Sequence, residues 1–192
     1  TPLPNGSSQN DRSAVYNYVE NTWATMSLAR TAYSDSVTYD NPQATEFNST
    51  GTPTFPTING VTNTFGASTL FAHEEGTNQI SLNGVSSPIP AFVQSGDFDI
   101  SQGGDGEFLL KVRRFLPDFK NLEGTVTITL GTKNFPISTQ STTTSFAVTS
   151  TTSKIDTRVR GRLANIKIEN TAVDDNWRFG TFRADVQPDG MR

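Results

Sequence analysis

The chain has 192 residues, with 15 Lys and Arg against 19 Asp and Glu, a formal net charge of −4 and a sequence pI near 4.9. This acidic balance gives no general attraction for a phosphate backbone, so it argues against wrapping of DNA and against sequence-independent nucleic-acid binding. The absence of Cys excludes disulfides, thiolate metal sites and thiol nucleophiles, and the single histidine, His73, excludes a clustered imidazole site.

The first predicted elements are two strands, over 14–18 and 23–26, joined by a polar turn. Tyr16, Tyr18 and Trp23 can meet across such a hairpin. The chain is therefore predicted to begin its ordered structure with a β-hairpin that carries aromatic side chains.

The region of about 40–63 is predicted to be a long surface loop. It contains three prolines among Asn, Thr and Gly, and proline cannot donate to a sheet ladder. A central strand is therefore not expected there. A short strand is predicted over 67–73, and the Glu-Glu-Gly sequence at 74–76 indicates the turn that ends it.

The middle of the chain is predicted to alternate strands and turns. The predicted strands cover 91–95, 97–100, 108–116 and 125–130, with a glycine-rich turn at 103–106. The most regular is the last one, in which Val126, Ile128 and Leu130 alternate with threonines. This period of two predicts a strand with one buried face in an antiparallel sheet.

Two further segments precede the C-terminal part. The Thr- and Ser-rich region 138–153 is predicted to form an edge strand with a loop. The segment 155–168 is predicted to be extended, and it carries Arg158, Arg160 and Arg162 at intervals of two residues. An extended chain would place all three arginines on one face.

The predicted fold class is all-β, built from antiparallel hairpins. No segment shows a sustained 3.6-residue apolar stripe, and none is long and apolar enough to span a membrane. We expect one all-β region over 1–192, with strand hairpins and the long loop over 1–132 and the closing strands and C-terminal segment over 154–192. Apolar residues, counted with Gly in place of Tyr, make up about 39%, below the about 45–50% of ordinary globular domains. Such a lean core is typical of a thin β-structure with long polar loops or of a protomer that completes its burial against neighbouring copies, and we favour the second.

Asp97 and Asp99, with Ser101, Asp105 and Glu107, place oxygen ligands at alternating positions in a glycine-rich stretch, which superficially resembles a calcium loop. The pattern departs from such a loop, because glycine falls at loop position 7 instead of 6 and position 12 is Phe108. A solvated strand connection is therefore the favoured interpretation, with calcium as the alternative. No cofactor is predicted.

Paired carboxylates occur at 74–75, at 174–175 and at 185 with 189, and a glycosidase needs two carboxyl groups across a sugar. Acidic residues are common in turns, however, and no aromatic platform flanks these pairs. A Gly-x-Ser-x-Gly motif is absent, and His73 is the only possible imidazole base. We therefore expect the protein not to be an enzyme.

The stripe of Arg158, Arg160 and Arg162 is the strongest functional candidate. Arginines two apart on a strand can grip carboxylates bidentately, which suits an acidic surface on a neighbouring protomer. They could also contact phosphates, and a solvated strand face is the other alternative.

A second candidate is the cluster of Trp177, Arg178, Phe182 and Arg183 near the end of the chain. Aromatic and guanidinium groups of this kind are typical of buried anchors at protein interfaces. Ordinary core packing explains the cluster equally well.

Motifs in three parts of the chain point to one family. The N-terminal motifs are Asn10-Asp11-Arg12, Val15-Tyr16-Asn17-Tyr18, Trp23 and Leu28-Ala29-Arg30-Thr31-Ala32. The central motifs are the segment 70–76, Ser95-Gly96-Asp97-Phe98-Asp99-Ile100 and Arg113 with Leu116-Pro117-Asp118. The most specific motifs are Arg158-x-Arg160-Gly161-Arg162, the segment 166–169, Trp177-Arg178-x-Gly180-Thr181, Arg183-x-Asp185-Val186 and Pro188-Asp189-Gly190. Together and in this order they resemble the tail nozzle or hub proteins of short-tailed bacteriophages, some of which are called packaged-DNA stabilisation proteins.

The resemblance spans nearly the whole chain except 40–63 and 133–153. In that family these segments end the polypeptide after a longer N-terminal part, so the likeness implies a C-terminal portion or a short relative. It implies a β-propeller-like platform in the virion tail that forms a homo-oligomeric, hexameric ring below the portal and adaptor. The implied neighbours are the portal, the tail adaptor and the tail fibre proteins. Genome DNA would pass through the ring without specific binding, which suits a mildly acidic protein.

Two other functions remain open. Acidic pairs and loops rich in Ser, Thr and Asn are also found in tailspike-like β-proteins that bind or hydrolyse carbohydrate. A capsid decoration module would share the same all-β composition.

Overall fold

The computed structural model describes residues 12–27, 29–37, 39–48, 67–80, 84–101, 108–139 and 142–191. Over these ranges the chain forms strands that pair antiparallel, with no helix, so the all-β antiparallel prediction is confirmed. None of the described residues belongs to a helix that could cross a membrane. The chain divides into two compact units, Thr1–Gly76 and Thr77–Arg192, a boundary that was not expected from the sequence.

In its described residues the first unit contains two small sheets. Strands β1 (Arg12–Asn17) and β2 (Thr22–Ser27) form a hairpin. Strands β3 (Ala32–Ser34), β4 (Gln43–Asn48) and β5 (Ala67–Ala72) form a three-stranded sheet with β4 in the centre.

The predicted N-terminal hairpin is confirmed. Tyr16 pairs with Trp23 across it, and their ring centroids lie 4.7 Å apart. The turn is closed by the side chain of Asn17, whose Oδ1 accepts the backbone amides of Val19 at 3.0 Å and Glu20 at 3.2 Å. An Asn side chain that caps its own turn in this way replaces backbone hydrogen bonds that the reversing chain cannot make.

The expectation of a loop without a central strand over 40–63 is wrong for 43–48. Strand β4 occupies those residues and lies between β3 and β5. Pro42 precedes the strand, where its missing N–H removes nothing from the ladder, and its carbonyl accepts the amide of His73 at 2.8 Å. Residues 49–66 lie outside the described part of the chain.

The described part of the first unit buries little apolar surface. Pro42 and Ala44 are its buried residues. Larger apolar side chains are exposed, including Trp23 at 73% and Leu70 at 59%. Among the described residues, the shortage of buried apolar side chains is therefore greatest in the first unit.

The second unit contains eleven strands in its described residues. In chain order they are β6 (Asn78–Ile80), β7 (Ser86–Pro88), β8 (Ala91–Gln94), β9 (Phe108–Leu116), β10 (Phe119–Glu123), β11 (Val126–Lys133), β12 (Thr142–Val148), β13 (Ile155–Gly161), β14 (Leu163–Asn170), β15 (Asn176–Phe179) and β16 (Arg183–Met191). Their main sheets have the orders β12-β11-β14-β8 and β13-β9-β16, and β6 with β7 and β10 with β15 form two-stranded pairs.

The two main sheets share one hydrophobic core. On β11, Val126, Ile128 and Leu130 are almost fully buried, which confirms the predicted alternation. Leu110 and Phe115 of β9 belong to the same cluster, together with residues of β13 and β14. Burial of this apolar surface is the main source of stability of the unit.

The chain passes from one main sheet to the other at Gly161. A Cβ atom added there would lie 2.6 Å from Cβ of Thr132, closer than real Cβ atoms approach, so the corner requires glycine. The next residue, Arg162, donates its backbone amide to the carbonyl of Lys133 at 3.0 Å. This bond starts the pairing of β14 with β11.

Two edge strands are relevant to function. Strand β12 lies at one edge of the four-stranded sheet, which confirms the edge strand predicted within 138–153. Strand β13 lies at one edge of the three-stranded sheet. The strand predicted over 97–100 is wrong except for one bridge, in which Phe98 and Ala164 exchange backbone hydrogen bonds. The predicted turn at 103–106 lies outside the described residues.

Candidate interface on the closing strands

Strand β13 separates its residues cleanly by face. Ile155, Thr157 and Val159 are buried, and each is followed by an exposed residue, among them Arg158 and Arg160. The period of two arises because successive side chains of a strand point to opposite faces. These two arginines therefore share a face, as predicted.

Arg162 does not belong to this stripe. It follows the last residue of β13, at the corner, and its guanidinium carbon lies 5.8 Å from the ring centroid of Phe135. The expectation that all three arginines share one face is wrong for Arg162, because the extended segment 155–168 is broken at Gly161 and continues in the other sheet.

Asp156, at the start of the exposed face, is fully engaged. Its Oδ1 accepts a hydrogen bond from Nε of Arg114 at 2.8 Å, and its Oδ2 lies 3.2 Å from Nζ of Lys154. The hydrogen bond from Arg114, followed by that from Lys154, holds the pKa of Asp156 below its usual value. The same contact with Asp156 raises the pKa of Arg114.

Arg160 is also paired. Its Nε lies 2.6 Å from Oδ2 of Asp189, and its terminal nitrogen donates to the carbonyl of Asp189 at 3.0 Å. Arg160 thereby joins β13 to β16 across the intervening strand β9, with both side chains partly exposed.

Arg158 differs from both neighbours. The register of β13 against β9 shifts between Asp156 and Val159, so that Thr157 and Arg158 lie opposite the single residue Arg113. Both arginines are exposed, and neither forms an ion pair with any residue of the described chain. This irregularity therefore carries two exposed cations that have no ion-pair partner among the described residues.

We call Arg113, Arg114, Asp156, Arg158 and Arg160 the arginine face. A depression of about 660 Å³ adjoins it, between the edge strands β12 and β13. Thr144 and Phe146 of β12 and the residues 156–160 of β13 line this depression, which we call the edge groove. Its lining includes the apolar side chains of Phe146 and Val159 and the cationic side chains of Arg158 and Arg160, so it suits an extended segment with apolar and acidic residues.

The aromatic members of the C-terminal cluster are core residues. The indole of Trp177 lies edge to face with Phe119 at 6.1 Å, and Phe182 stacks on Phe115 at 4.7 Å. Both rings pack against the core of the second unit. Core packing, left open by the sequence, therefore accounts for Trp177 and Phe182.

The arginines of that cluster are exposed. Arg178 lies opposite Lys120 in the β10 and β15 pair. A terminal nitrogen of Arg183 lies 3.8 Å from Oδ2 of Asp118. Asp118 also holds the intervening chain, because its carbonyl accepts the amide of Gly180 at 2.7 Å.

The aspartates of the calcium alternative are used within the fold. Oδ2 of Asp97 accepts from Nζ of Lys133, and Oδ1 accepts from Nδ2 of Asn165, each at 2.8 Å. Asp99 accepts from Ser101 at 2.9 Å, and Asp105 lies outside the described residues. Over the described ranges, no group of three or more His, Cys, Asp and Glu could hold a metal ion.

The two aspartates at 174 and 175 form hydrogen bonds with different parts of the fold. Oδ1 of Asp175 accepts the amide of Thr125 at 2.9 Å and its Oδ2 accepts that of Ala172 at 3.0 Å, whereas Asp174 bonds to Asn78 through both side chain and backbone. Both side chains therefore make contacts within the fold.

The first unit contains a cluster that sequence reasoning missed. Arg30 donates from Nε to Nε2 of His73 at 3.0 Å and from a terminal nitrogen to Glu46 at 2.9 Å, and its guanidinium lies 4.3 Å from the ring centroid of Phe71. Partial burial and the charge of Arg30 lower the pKa of His73. No local motif indicates this cluster, because Arg30, Glu46 and the segment with Phe71 and His73 are far apart in the sequence.

Comparison with protein-family models finds no match for this chain. No curated protein matches it either.

Proposed function

We propose that this chain is a structural component of the tail nozzle or hub of a short-tailed bacteriophage. In this role it forms a homo-oligomeric ring below the portal and adaptor and helps to retain and conduct genome DNA. The proposal starts from the ordered motif resemblance of the sequence, and the contacts of the closing strands support it.

The proposal is carried by the structural roles of the residues in the most specific motifs. Gly161 forms the corner between the main sheets, Gly180 and Thr181 donate to Asp118, and Trp177 donates to a buried Asn170. These residues fasten strands, and four arginines of the same motifs, Arg158, Arg160, Arg178 and Arg183, are exposed on the surface. A motif that serves strand closure and surface charge suits a protein selected for assembly.

The carboxylates give further support. Asp97, Asp156, Asp175 and Asp189 each accept hydrogen bonds or pair with cations inside the fold. A hydrolytic site needs carboxylates that face a substrate. The contacts of these groups therefore favour a structural component over a tailspike-like hydrolase.

The test locates the protein in the particle. Virions carrying an epitope-tagged full polypeptide are imaged with gold-labelled antibody, and label at the tail vertex is the expected result. Label on the head faces would instead support a capsid decoration module and overturn the proposal.

A second measurement separates the carbohydrate alternative. The purified protein is applied to glycans of the host envelope and assayed for released reducing ends. We expect neither binding nor release, and hydrolysis of host polysaccharide would overturn the proposal.

A further inference from the structure

The two units differ strongly in charge. Residues 1–76 contain two Lys and Arg against seven Asp and Glu, a formal net charge of −5. Residues 77–192 contain 13 against 12, a net charge of +1. The excess negative charge therefore belongs entirely to the first unit, while the arginine face belongs to the second.

The described part of the first unit also presents apolar surface without a core to receive it. Tyr33 is 65% exposed and Leu70 of β5 is 59% exposed. A three-stranded sheet of this size needs a packed face for stability. The unit thus combines an acidic charge with apolar side chains that gain free energy when they are covered.

The acidic and apolar features of the first unit meet at β5. This strand lies at an edge of the sheet β3-β4-β5, and Leu70 is on it. Glu74 and Glu75 come one residue after the strand, beyond His73; both are exposed and form no ion pair with any described residue. Glu74 has a left-handed backbone, with φ of 61°, which turns the chain at that point.

The edge groove has the complementary features. Phe146 lines it as an apolar wall, Arg158 lines it as a cation without an ion pair, and both flanking strands are sheet edges. A strand edge offers unpaired backbone N–H and C=O groups, which natural proteins cover or pair. An incoming edge strand can pair with them while its side chains supply the specificity.

We propose that β5 and the Glu74-Glu75 turn of a second copy of this chain occupy the edge groove. Leu70 of that copy covers Phe146, and its Glu75 pairs with Arg158. The contact joins the acidic unit of one copy to the arginine face of the next, so it is heterologous and repeats around a ring. This inference rests on the proposed function, since it specifies how neighbouring protomers of the ring meet.

Disulfide trapping tests the contact directly, because the chain contains no Cys. The full polypeptide is prepared as two separate variants, Leu70→Cys and Thr144→Cys, which are mixed and oxidised mildly. A covalent product containing one copy of each variant is the expected result. Val173→Cys, which is exposed and outside the groove, replaces Thr144→Cys in the control and is expected to give only background.

The experiment must also distinguish a disulfide between two copies from a disulfide within one copy. A double variant with both cysteines in one chain is oxidised at high dilution. A product that forms only within single chains, with no mixed product from the separate variants, would overturn the proposal.

Charge reversal provides a second, independent readout. Arg158→Glu and Glu75→Arg are each expected to weaken self-association about 10-fold, and the two changes together are expected to restore most of it. The control Lys120→Glu reverses an exposed positive charge on β10, outside the groove, and should leave the affinity within about twofold. Equal effects of Arg158→Glu and Lys120→Glu would contradict a specific contact.

The test of this contact can fail independently of the test of the proposed tail function. Gold label at the tail vertex with no mixed disulfide would overturn this contact and leave the tail assignment standing. A mixed disulfide in a protein that labels the head would support the contact and overturn the tail assignment.

Discussion

The indole N–H of Trp177 donates to Oδ1 of Asn170 at 2.9 Å. The same oxygen accepts the amide of Ala91 at 3.1 Å, and Nδ2 of Asn170 donates to the carbonyl of Ile89 at 3.2 Å. The buried side-chain amide of Asn170 on β14 thereby holds both β15 and the start of β8 in place.

Replacing this amide is expected to destabilise the protein strongly. Asn170→Ala removes three partly buried hydrogen bonds, those with the N–H groups of Trp177 and Ala91 and the carbonyl of Ile89, so we expect the free energy of unfolding to fall by about 2–4 kcal/mol. Trp177→Phe keeps the ring packing and loses one hydrogen bond, with an expected loss of about 1–2 kcal/mol. Urea denaturation measures both, and Asn176→Ala, at an exposed position of β15, is the control with a change below about 0.5 kcal/mol. An Asn170→Ala variant as stable as this control would contradict the role of the amide.

The corner at Gly161 gives a second stability prediction. Gly161→Ala brings a methyl group to 2.6 Å from Cβ of Thr132, so the two main sheets must shift apart. We expect a loss of about 1–3 kcal/mol, typical of overpacking in a core. Gly96→Ala is the matched control, because nothing lies within 4 Å of the position where its Cβ would stand, and its thermal midpoint should change little. A Gly161→Ala variant with an unchanged midpoint would show that the corner tolerates a side chain.

His73 gives a prediction about mildly acidic pH. Partial burial and Arg30 lower the pKa of His73 from its usual 6.5, so the folded state binds the proton less readily than the unfolded state. The contribution of the neutral imidazole is fully present above pH 6.5 and is lost as the pH falls from there through the folded-state pKa. Unfolding free energies of the wild type should therefore decrease between pH 7.5 and about 5.5, more steeply than those of His73→Gln. Identical pH dependence in both proteins would rule out this linkage.

Asp97 gives the corresponding prediction at lower pH. The hydrogen bond from Lys133, and after it that from Asn165, holds the pKa of Asp97 below its usual 3.8. Its contribution is present above pH 3.8 and is lost as the pH falls through the folded-state pKa. Asp97→Asn should reduce the pH dependence of stability in this range. Asp99→Asn leaves the contact of Asp97 with Lys133 in place and should retain that dependence, and the reverse order of the two variants would contradict the assignment.

The elements that could be predicted from the sequence are those with a local signal. The Val126 to Leu130 alternation and the hairpin around Tyr16 and Trp23 carry their pattern within a few residues, and both are present. Strand β4 could not be predicted, because Pro42 and the nearby turn residues suggested a loop, although a proline that directly precedes a strand costs it no hydrogen bond.

The candidate site was predictable only in part for the same reason. The spacing of Arg158 and Arg160 gives their shared face directly, whereas the position of Arg162 depends on a corner that Gly161 forms against Thr132, a residue far away in sequence. The surroundings of these two arginines also depend on other strands. Arg160 pairs with Asp189 of β16, and Arg158 lies opposite Arg113 of β9. No spacing rule within one segment contains that information.

The central claim, that this chain belongs to the tail of a short-tailed phage, is tested most directly by a cryo-electron microscopy map of the particle's portal vertex. We predict density below the portal and adaptor, arranged as a ring, into which the main sheets β12-β11-β14-β8 and β13-β9-β16 of the second unit fit. A map in which the ring density at the vertex is accounted for by other proteins and these sheets fit only on the capsid surface would contradict the account.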